Sequence, residues 1–396
     1  MHVVFRESHG LEESAVPQDL AQSPADLVVL SFSDGDLGAF AAGWRRAAAS
    51  GSPLPSLRLA NLSALAHPLS VDTYVERTLD GGAGTGAKGI VIRLIGGRSY
   101  WSYGLQQVEV LARARGIALA VLPADGRIDA RLDAASTVPV STLRRLAALC
   151  DDGGAVAAQA ALAQMALAAG LYAGPVAGVK TVPEVGGWQP RDGVTCPAAF
   201  AMTATRPRIL LIFYRSYLTA ADLDPVEALH AGLSAAGFEV VGLFAPSLKA
   251  PGAAGWLARW VVALRPAAIV NATAFSGRGA DNSSPLDGAG VPVFQVALAT
   301  SDRAAWAGST RGLSPADLAM HVVLPEVDGR LFAGVASFKE DGVRDDALGY
   351  ARREHRADPE RIAAIVARVT AWVRLAERPV AEQRPAVVLS TYPGKA

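Results

Sequence analysis

Short apolar runs bounded by turn-forming residues recur along the chain. They alternate with stretches whose apolar positions repeat every three to four residues, the pattern of parallel strand-helix-strand units. In the first part the runs fall at 27–32 (LVVLSF), 90–95 (IVIRLI) and 117–122 (IALAVL). Between the last two, residues 99–115 put Leu105, Val108, Leu111 and Ala112 on one helical face and stop at Gly116, a natural helix end. A second alternation starts at 209–214 and continues through 240–244, 268–271 and 293–298. Its first helix opens at Asp224, a capping residue, with Pro225 at the first helical position and Glu227 completing a capping-box-like pattern. A longer helix begins at Asp358 and Pro359, with Ile362, Ile365, Val366, Val369, Trp372 and Val373 on one stripe, and leads to a strand-like run at 386–390.

The stretch between the two alternations differs. A helix beginning at Ser141 turns Leu143, Leu146 and Cys150 inward, an Ala-rich stretch follows, and 174–197 is rich in Pro and Gly. The expected fold class is α/β: two doubly wound, mainly parallel α/β domains with a helical insert. The N-terminal α/β domain takes 1–140, the helical insert and Pro/Gly-rich linker 141–205, and the second α/β domain 206–396. With 396 residues, each domain has enough chain to bury its own core.

Charge and composition narrow the partners. The 37 basic and 37 acidic residues balance, and no Lys/Arg stripe could neutralise successive phosphates, so no nucleic acid partner is expected. The two cysteines, Cys150 and Cys196, form neither a disulfide framework nor a thiolate metal knuckle, and they fit a reducing cytoplasm. The N-terminus lacks the charged-then-apolar order of an export signal. Residues 153–179 carry no charge, but the stretch is rich in alanine and interrupted by Gln159 and Gln164. It predicts a buried helix, not a membrane span.

The glycines of 84–89 (GTGAKG) have the G-x-G-x-x-G spacing of a dinucleotide loop. They precede a strand instead of opening a helix, so a surface loop is expected. Gly394-Lys395 lacks the rest of a phosphate loop, and no cofactor is bound by a recognisable motif. The six histidines are too scattered to aim paired imidazoles at one metal, and His230 reads as a packed or surface residue. The metal candidates are His321, Glu326 and Asp328, hard or borderline donors close in sequence; turn chemistry at Val327-Asp328-Gly329 accounts for the same residues. Open α/β sheets bind ligands at the C-terminal ends of their strands. Those ends are Tyr214-Arg215, Asn271, Thr273 and Gln295 in the second sheet and Arg93 in the first. Arg93, inside an apolar run, requires a carboxylate or an anionic ligand. The planar fork of Arg215 suits a substrate carboxylate. No catalytic triad, nucleophile elbow or paired catalytic carboxylates stand out by spacing.

Specific strings go further. HPLSVDTYVERT (67–78), LIGGRSYW (94–101), DPVEAL (224–229), VNATAF (270–275) and DLAMHVVLPEVDGR (317–330) occur in an order that closely resembles the N-terminal portion of the cobaltochelatase large subunit, a homologue of the magnesium chelatase large subunit. The resemblance covers the whole chain, and the first two strings look more like the cobalt branch. It implies part of a cytoplasmic, multi-subunit, ATP-dependent ligase of cobalamin biosynthesis that inserts Co²⁺ into hydrogenobyrinic acid a,c-diamide. ATP with Mg²⁺ would be handled by AAA+ type partner subunits, while the large subunit holds the corrinoid. It also implies that the groups handling metal and macrocycle lie largely beyond residue 396. The second, flavodoxin-like domain would then be truncated, and this portion would bind corrinoid or act as a scaffold without activity of its own. His67, Asp72, Tyr74 and Glu76 are carried over as motif positions, the first three as substrate-binding candidates; a helix cap at 70–73 is the alternative role. Two other readings stay open: a non-enzymatic docking module for the ATPase subunits, and a magnesium chelatase homologue acting on protoporphyrin.

Overall fold

The computed structural model describes residues 16–82, 85–200, 205–279 and 282–387. The first sheet is wholly parallel, in the order β2-β1-β3-β4, from β1 (Leu27–Ser31), β2 (Leu57–Asn61), β3 (Gly89–Leu94) and β4 (Ala118–Pro123). β1 and β3 are buried at every position, which is why their sequences are apolar apart from Ser31 and Arg93 and do not alternate. The second sheet contains β5 (Gly186–Gln189), β6 (Gly193–Thr195), β7 (Arg208–Tyr214), β8 (Glu239–Ala245), β9 (Ala268–Asn271), β10 (Val293–Leu298), β11 (Leu331–Asp345) and β12 (Tyr350–Ala357). Its order is β12-β11-β10-β9-β7-β8-β5-β6. Strands β8-β7-β9-β10-β11 are parallel and reverse direction of addition between β7 and β9, the doubly wound flavodoxin-like arrangement. β5, β6 and β12 are antiparallel additions at the two edges.

Helices Asp34–Ala49, Val140–Asp152 and Gly154–Ala168 cover one face of the first sheet. Pro68–Tyr74, Ser102–Arg115 and Ala130–Ala135 cover the other. The segment 141–205 is therefore shared: its helices pack into the first core, and its Pro/Gly-rich part supplies β5 and β6 to the second sheet. The alanines explain this placement, since only small side chains let two helices come so close. A Cβ on Gly43 would sit 2.6 Å from the backbone nitrogen of Gln159. Among the described residues no helix is long and apolar enough to cross a membrane. In the second unit, Asp224–Ala235 and Pro359–Glu377 pack on one face and Pro251–Ala263 on the other.

Two local expectations change. Asp224 is the first helical residue and not the cap; its carboxylate accepts from the Ala357 N–H at 2.7 Å, and Asp222 accepts from the His355 N–H at 3.0 Å. Both belong to β12, an edge strand whose outward N–H groups need acceptors. The long helix starts at Pro359, with Asp358 as its cap, accepting from the Glu360 and Arg361 N–H groups. Of the strand expected at 386–390, Ala386 and Val387 are not strand and the remainder lies outside the described residues, as do Gly84 and Gly394-Lys395.

β11 and β12 form a long hairpin that had no counterpart in the sequence pattern, and its tip is built into the first unit. The Leu59 N–H on edge strand β2 donates to Leu348 O at 3.2 Å. Gln22 Nε2 donates to Leu59 O and Gly349 O, each at 2.8 Å, and Arg58 Nη1 to Ala347 O at 2.7 Å. Leu348 and Tyr350 belong to the first unit's core, with Leu348 only 1% exposed. Gly349 turns this tip at φ +64°, in a space where a Cβ would meet Arg58 and Gln22 at 3.0 Å.

Candidate functional site

The second sheet reverses between β7 and β9, where this architecture places ligands. Tyr214 ends β7; its hydroxyl donates to Ala274 O at 2.7 Å and accepts from the Ala274 N–H at 3.1 Å. Asn271 ends β9; its Nδ2 donates to Gln295 Oε1 at 2.7 Å, while Thr273 Oγ1 donates to its Oδ1 at 3.0 Å. Gln295 Nε2 donates to Thr273 O at 2.6 Å, and Arg330 Nη1 donates to Gln295 Oε1 at 3.2 Å. Arg330 Nη2 lies 2.7 Å from Asp328 Oδ2. Asp328 also accepts from Ser276 Oγ at 2.7 Å and from the Gly277 N–H at 2.6 Å, with Arg278 Nε at 3.5 Å. Burial pushes the Tyr214 phenol up and the Arg330 guanidinium down from their ordinary values. The network is closed on itself in a low-dielectric interior, so it fixes the loop after β9 rigidly over the switch point.

Asn271, Thr273 and Gln295 come together here, bonded to one another, although Gln295 lies within β10 and not at its end. Arg215 is engaged elsewhere: Nε donates to Pro183 O at 3.0 Å, and Nη2 to Asp152 O at 3.0 Å and Val182 O at 2.7 Å. Its fork ties the linker to the end of a first-unit helix. The three metal candidates disperse. His321 is buried with its Nε2 3.9 Å from Asp317 Oδ1, Glu326 is exposed, and Asp328 belongs to the Arg330 pair. Among the described residues no group of three or more His, Cys, Asp or Glu side chains could hold a metal ion.

The C-terminal edges of the two sheets meet at a polar joint. Lys339 Nζ on β11 lies 3.7 Å from Asp34 Oδ2 in the first unit, and the Tyr350 hydroxyl donates to Asp34 Oδ1 at 3.5 Å. Arg352 Nη2 donates to Ala220 O at 2.9 Å. Beneath it, Asp317 accepts from the Thr300 N–H at 3.1 Å and from Thr300 Oγ1 and Ser314 Oγ at 3.0 Å each. His355 Nδ1 lies 3.3 Å from Ser337 Oγ, and its ring meets Tyr217 edge-on at 5.7 Å. Burial drives His355 down to about 3, and Lys339, His321 and Arg352 reinforce the shift. On the first-sheet side, Arg93 Nε is 3.0 Å from Asp36 Oδ2 and Nη2 is 3.6 Å from Asp151 Oδ1. Burial opposes its charge, but Cys150, Asp36 and Asp151 outweigh that and raise its pKa. The carboxylates that a buried arginine demands are therefore supplied by the protein itself.

The motif at 67–78 braces this arrangement. His67 is the cap of helix Pro68–Tyr74, its Nδ1 accepting from the Leu69 N–H at 3.1 Å. Asp72 accepts from the Tyr103 hydroxyl at 2.7 Å. The Tyr74 hydroxyl donates to Gln22 Oε1 at 2.8 Å, and Thr78 Oγ1 donates to Gln22 O at 2.9 Å, fixing the residue that grips the hairpin tip. Glu76 is exposed. Sequence reasoning missed Gln22, Tyr217, Asp317, Arg330 and His355. Arg330 and Asp317 could have been found from the string at 317–330 that contains them; the others carry no local signal.

Fold and site together define a two-unit α/β chain whose doubly wound sheets meet edge to edge at a buried polar joint. The chain belongs to the CobN/magnesium chelatase family, whose model matches residues 150–396. It is 36% identical over 413 residues to the aerobic cobaltochelatase subunit CobN of Sinorhizobium sp, covering 100% of this chain and 31% of that protein. It is 34% identical over 405 residues to the same subunit of Pseudomonas aeruginosa, covering 99% and 31%. Among solved structures it is similar to the catalytic subunit of cobaltochelatase from Mycobacterium tuberculosis, with TM-score 0.66 and 26% identity over 90% of this chain and 28% of that one. The chain thus spans about a third of the length of the curated relatives it matches.

Proposed function

We propose that this chain is the N-terminal portion of a cobaltochelatase large subunit, and that it binds corrinoid or acts as a scaffold without chelatase activity of its own. The observation that carries the reading is the end-to-end likeness to two aerobic cobaltochelatase subunits. The geometry supports it: the buried polar groups at the switch point satisfy one another and hold a shaped surface, which suits positioning better than bond-making. In this reading the whole cytoplasmic complex inserts Co²⁺ into hydrogenobyrinic acid a,c-diamide. AAA+ type partner subunits hydrolyse ATP with Mg²⁺, and strain and desolvation of the ring assist metal entry. The loop held by Asn271 and Thr273 is where the chain would meet the macrocycle.

Titration of the purified chain with hydrogenobyrinic acid a,c-diamide, followed by visible absorption, tests the binding half. A saturable spectral shift is expected. An unchanged spectrum at high micromolar protein removes corrinoid binding and leaves scaffolding, which co-purification with the ATPase subunits then tests.

A further inference from the structure

Two of the strings singled out in the sequence, 270–275 and 317–330, are joined by one backbone bond: the Phe275 N–H donates to Met320 O at 2.7 Å. The second string explains why that carbonyl is free. Ala319–Val323 forms a wide π turn in which the Leu324 N–H reaches back to Ala319 O instead of Met320 O. The next donor along such a turn would be residue 325, but Pro325 has no N–H. Met320 O is therefore left to the loop after β9. That loop is fixed on both sides of Phe275. Tyr214 at the end of β7 bonds both backbone groups of Ala274, and Asp328 accepts from Ser276 Oγ and the Gly277 N–H. Between these anchors Phe275 is held at φ +64°, a left-handed conformation that a bulky residue rarely adopts, and it is 46% exposed. Backbone strain imposed by surrounding bonds is a feature of ligand clamps, and an aromatic ring left in water does little for the core. The loop crosses the ends of β7 and β9, where the doubly wound sheet reverses and this architecture binds ligands.

We propose that Phe275 is the aromatic platform on which the corrinoid ring rests, and that Pro325, acting through the Met320 carbonyl, is the residue that positions it. The inference rests on the corrinoid-binding reading above and names its contact residue. A conjugated macrocycle presents an extended apolar face, and an aromatic side chain meets such a face through offset or edge contact. The turn that carries Met320 exposes Leu318, Val323 and Leu324, which add apolar surface next to the ring. Pro325 touches no ligand in this arrangement. Its part is to deny the turn an N–H, so that the Phe275 backbone is bonded and the side chain is presented before the ligand arrives.

The test follows the whole chain by three readouts: visible absorption on titration with hydrogenobyrinic acid a,c-diamide, Tm, and amide hydrogen exchange at Phe275. Phe275→Asn tolerates the left-handed conformation, so Tm is expected to hold or rise while corrinoid affinity falls at least about tenfold. Phe275→Tyr keeps an aromatic ring and is expected to bind as the parent does. Pro325→Ala returns an N–H to the turn to compete for Met320 O. Exchange at the Phe275 amide should then speed at least about tenfold, and corrinoid affinity should fall with the ring itself intact. Parent-like affinity in Phe275→Asn overturns the platform, as does an equal loss in Phe275→Tyr. Unchanged exchange at Phe275 in Pro325→Ala overturns the positioning role. The two levels of inference separate cleanly: no spectral shift with the parent removes corrinoid binding and the platform together, whereas a parent shift that Phe275→Asn retains removes the platform alone.

Discussion

Leu348→Ala is the sharpest perturbation of this architecture, because the residue belongs to one unit by sequence and to the other by packing. Its side chain is 1% exposed among the first unit's core residues. Removing its buried carbons loses roughly 0.8 kcal/mol per methylene in transfer free energy, and the cavity left behind brings the expected total to about 2–5 kcal/mol. The backbone bond from the Leu59 N–H to Leu348 O survives the substitution, so the loss is one of packing. Because the tip joins both cores, its weakening should also split the unfolding: one calorimetric endotherm becomes two as the units lose their coupling. Val343→Ala, on the same hairpin but 93% exposed, is the control and should stay within about 0.5 kcal/mol of the parent. Urea titrations give the free energies and calorimetry the cooperativity. A cost below about 1 kcal/mol with an unchanged single endotherm would refute the interlock.

Two further outcomes follow from the joint. His355 is neutral when folded, with its pKa lowered to about 3, so the unfolded chain binds more protons between that value and the ordinary histidine range. Stability is therefore complete above the ordinary range and declines as pH falls, by about 2 kcal/mol between pH 7 and pH 5. Urea midpoints of the parent and His355→Gln should diverge over that interval; parallel pH profiles would remove His355 as the cause. Tyr74→Phe leaves the Gln22 amide oxygen without its donor, at about 1–3 kcal/mol, and should speed hydrogen exchange at the Leu59 amide, two bonds along the same chain. Unchanged exchange there would show that Tyr74 does not brace the hairpin.

Much of the α/β pattern was readable because fully buried parallel strands must be apolar throughout: the expected runs at 268–271 and 293–298 coincide with β9 and β10, and the others shift by a residue or two. β2 was missed because Arg58 interrupts a five-residue strand; that arginine faces the hairpin tip and not solvent alone. β11 and β12 were missed for a related reason. The stretches KEDGVRD and ARREHRA are polar because part of them faces solvent while Lys339, Arg352 and His355 turn to the joint between units, so no continuous apolar run marks them. At the site, the residue types at strand ends were legible, while their partners were not. Asp328 reads locally as a turn residue, and only the fold brings Ser276 and Gly277 to it across some fifty positions of sequence. Arg215 likewise shows its charge in the sequence, whereas the three carbonyls that occupy it arrive from the linker and from another helix.

The hairpin tip also sets a timetable for the chain. Strand β2 is synthesised early, yet the residues that close its free edge, Ala347 to Gly349, follow it by nearly three hundred positions. During synthesis the N-terminal unit must wait with an unfinished core and an unpaired strand edge until nearly three hundred further residues have emerged, the long-range closure that slows folding and invites mispairing.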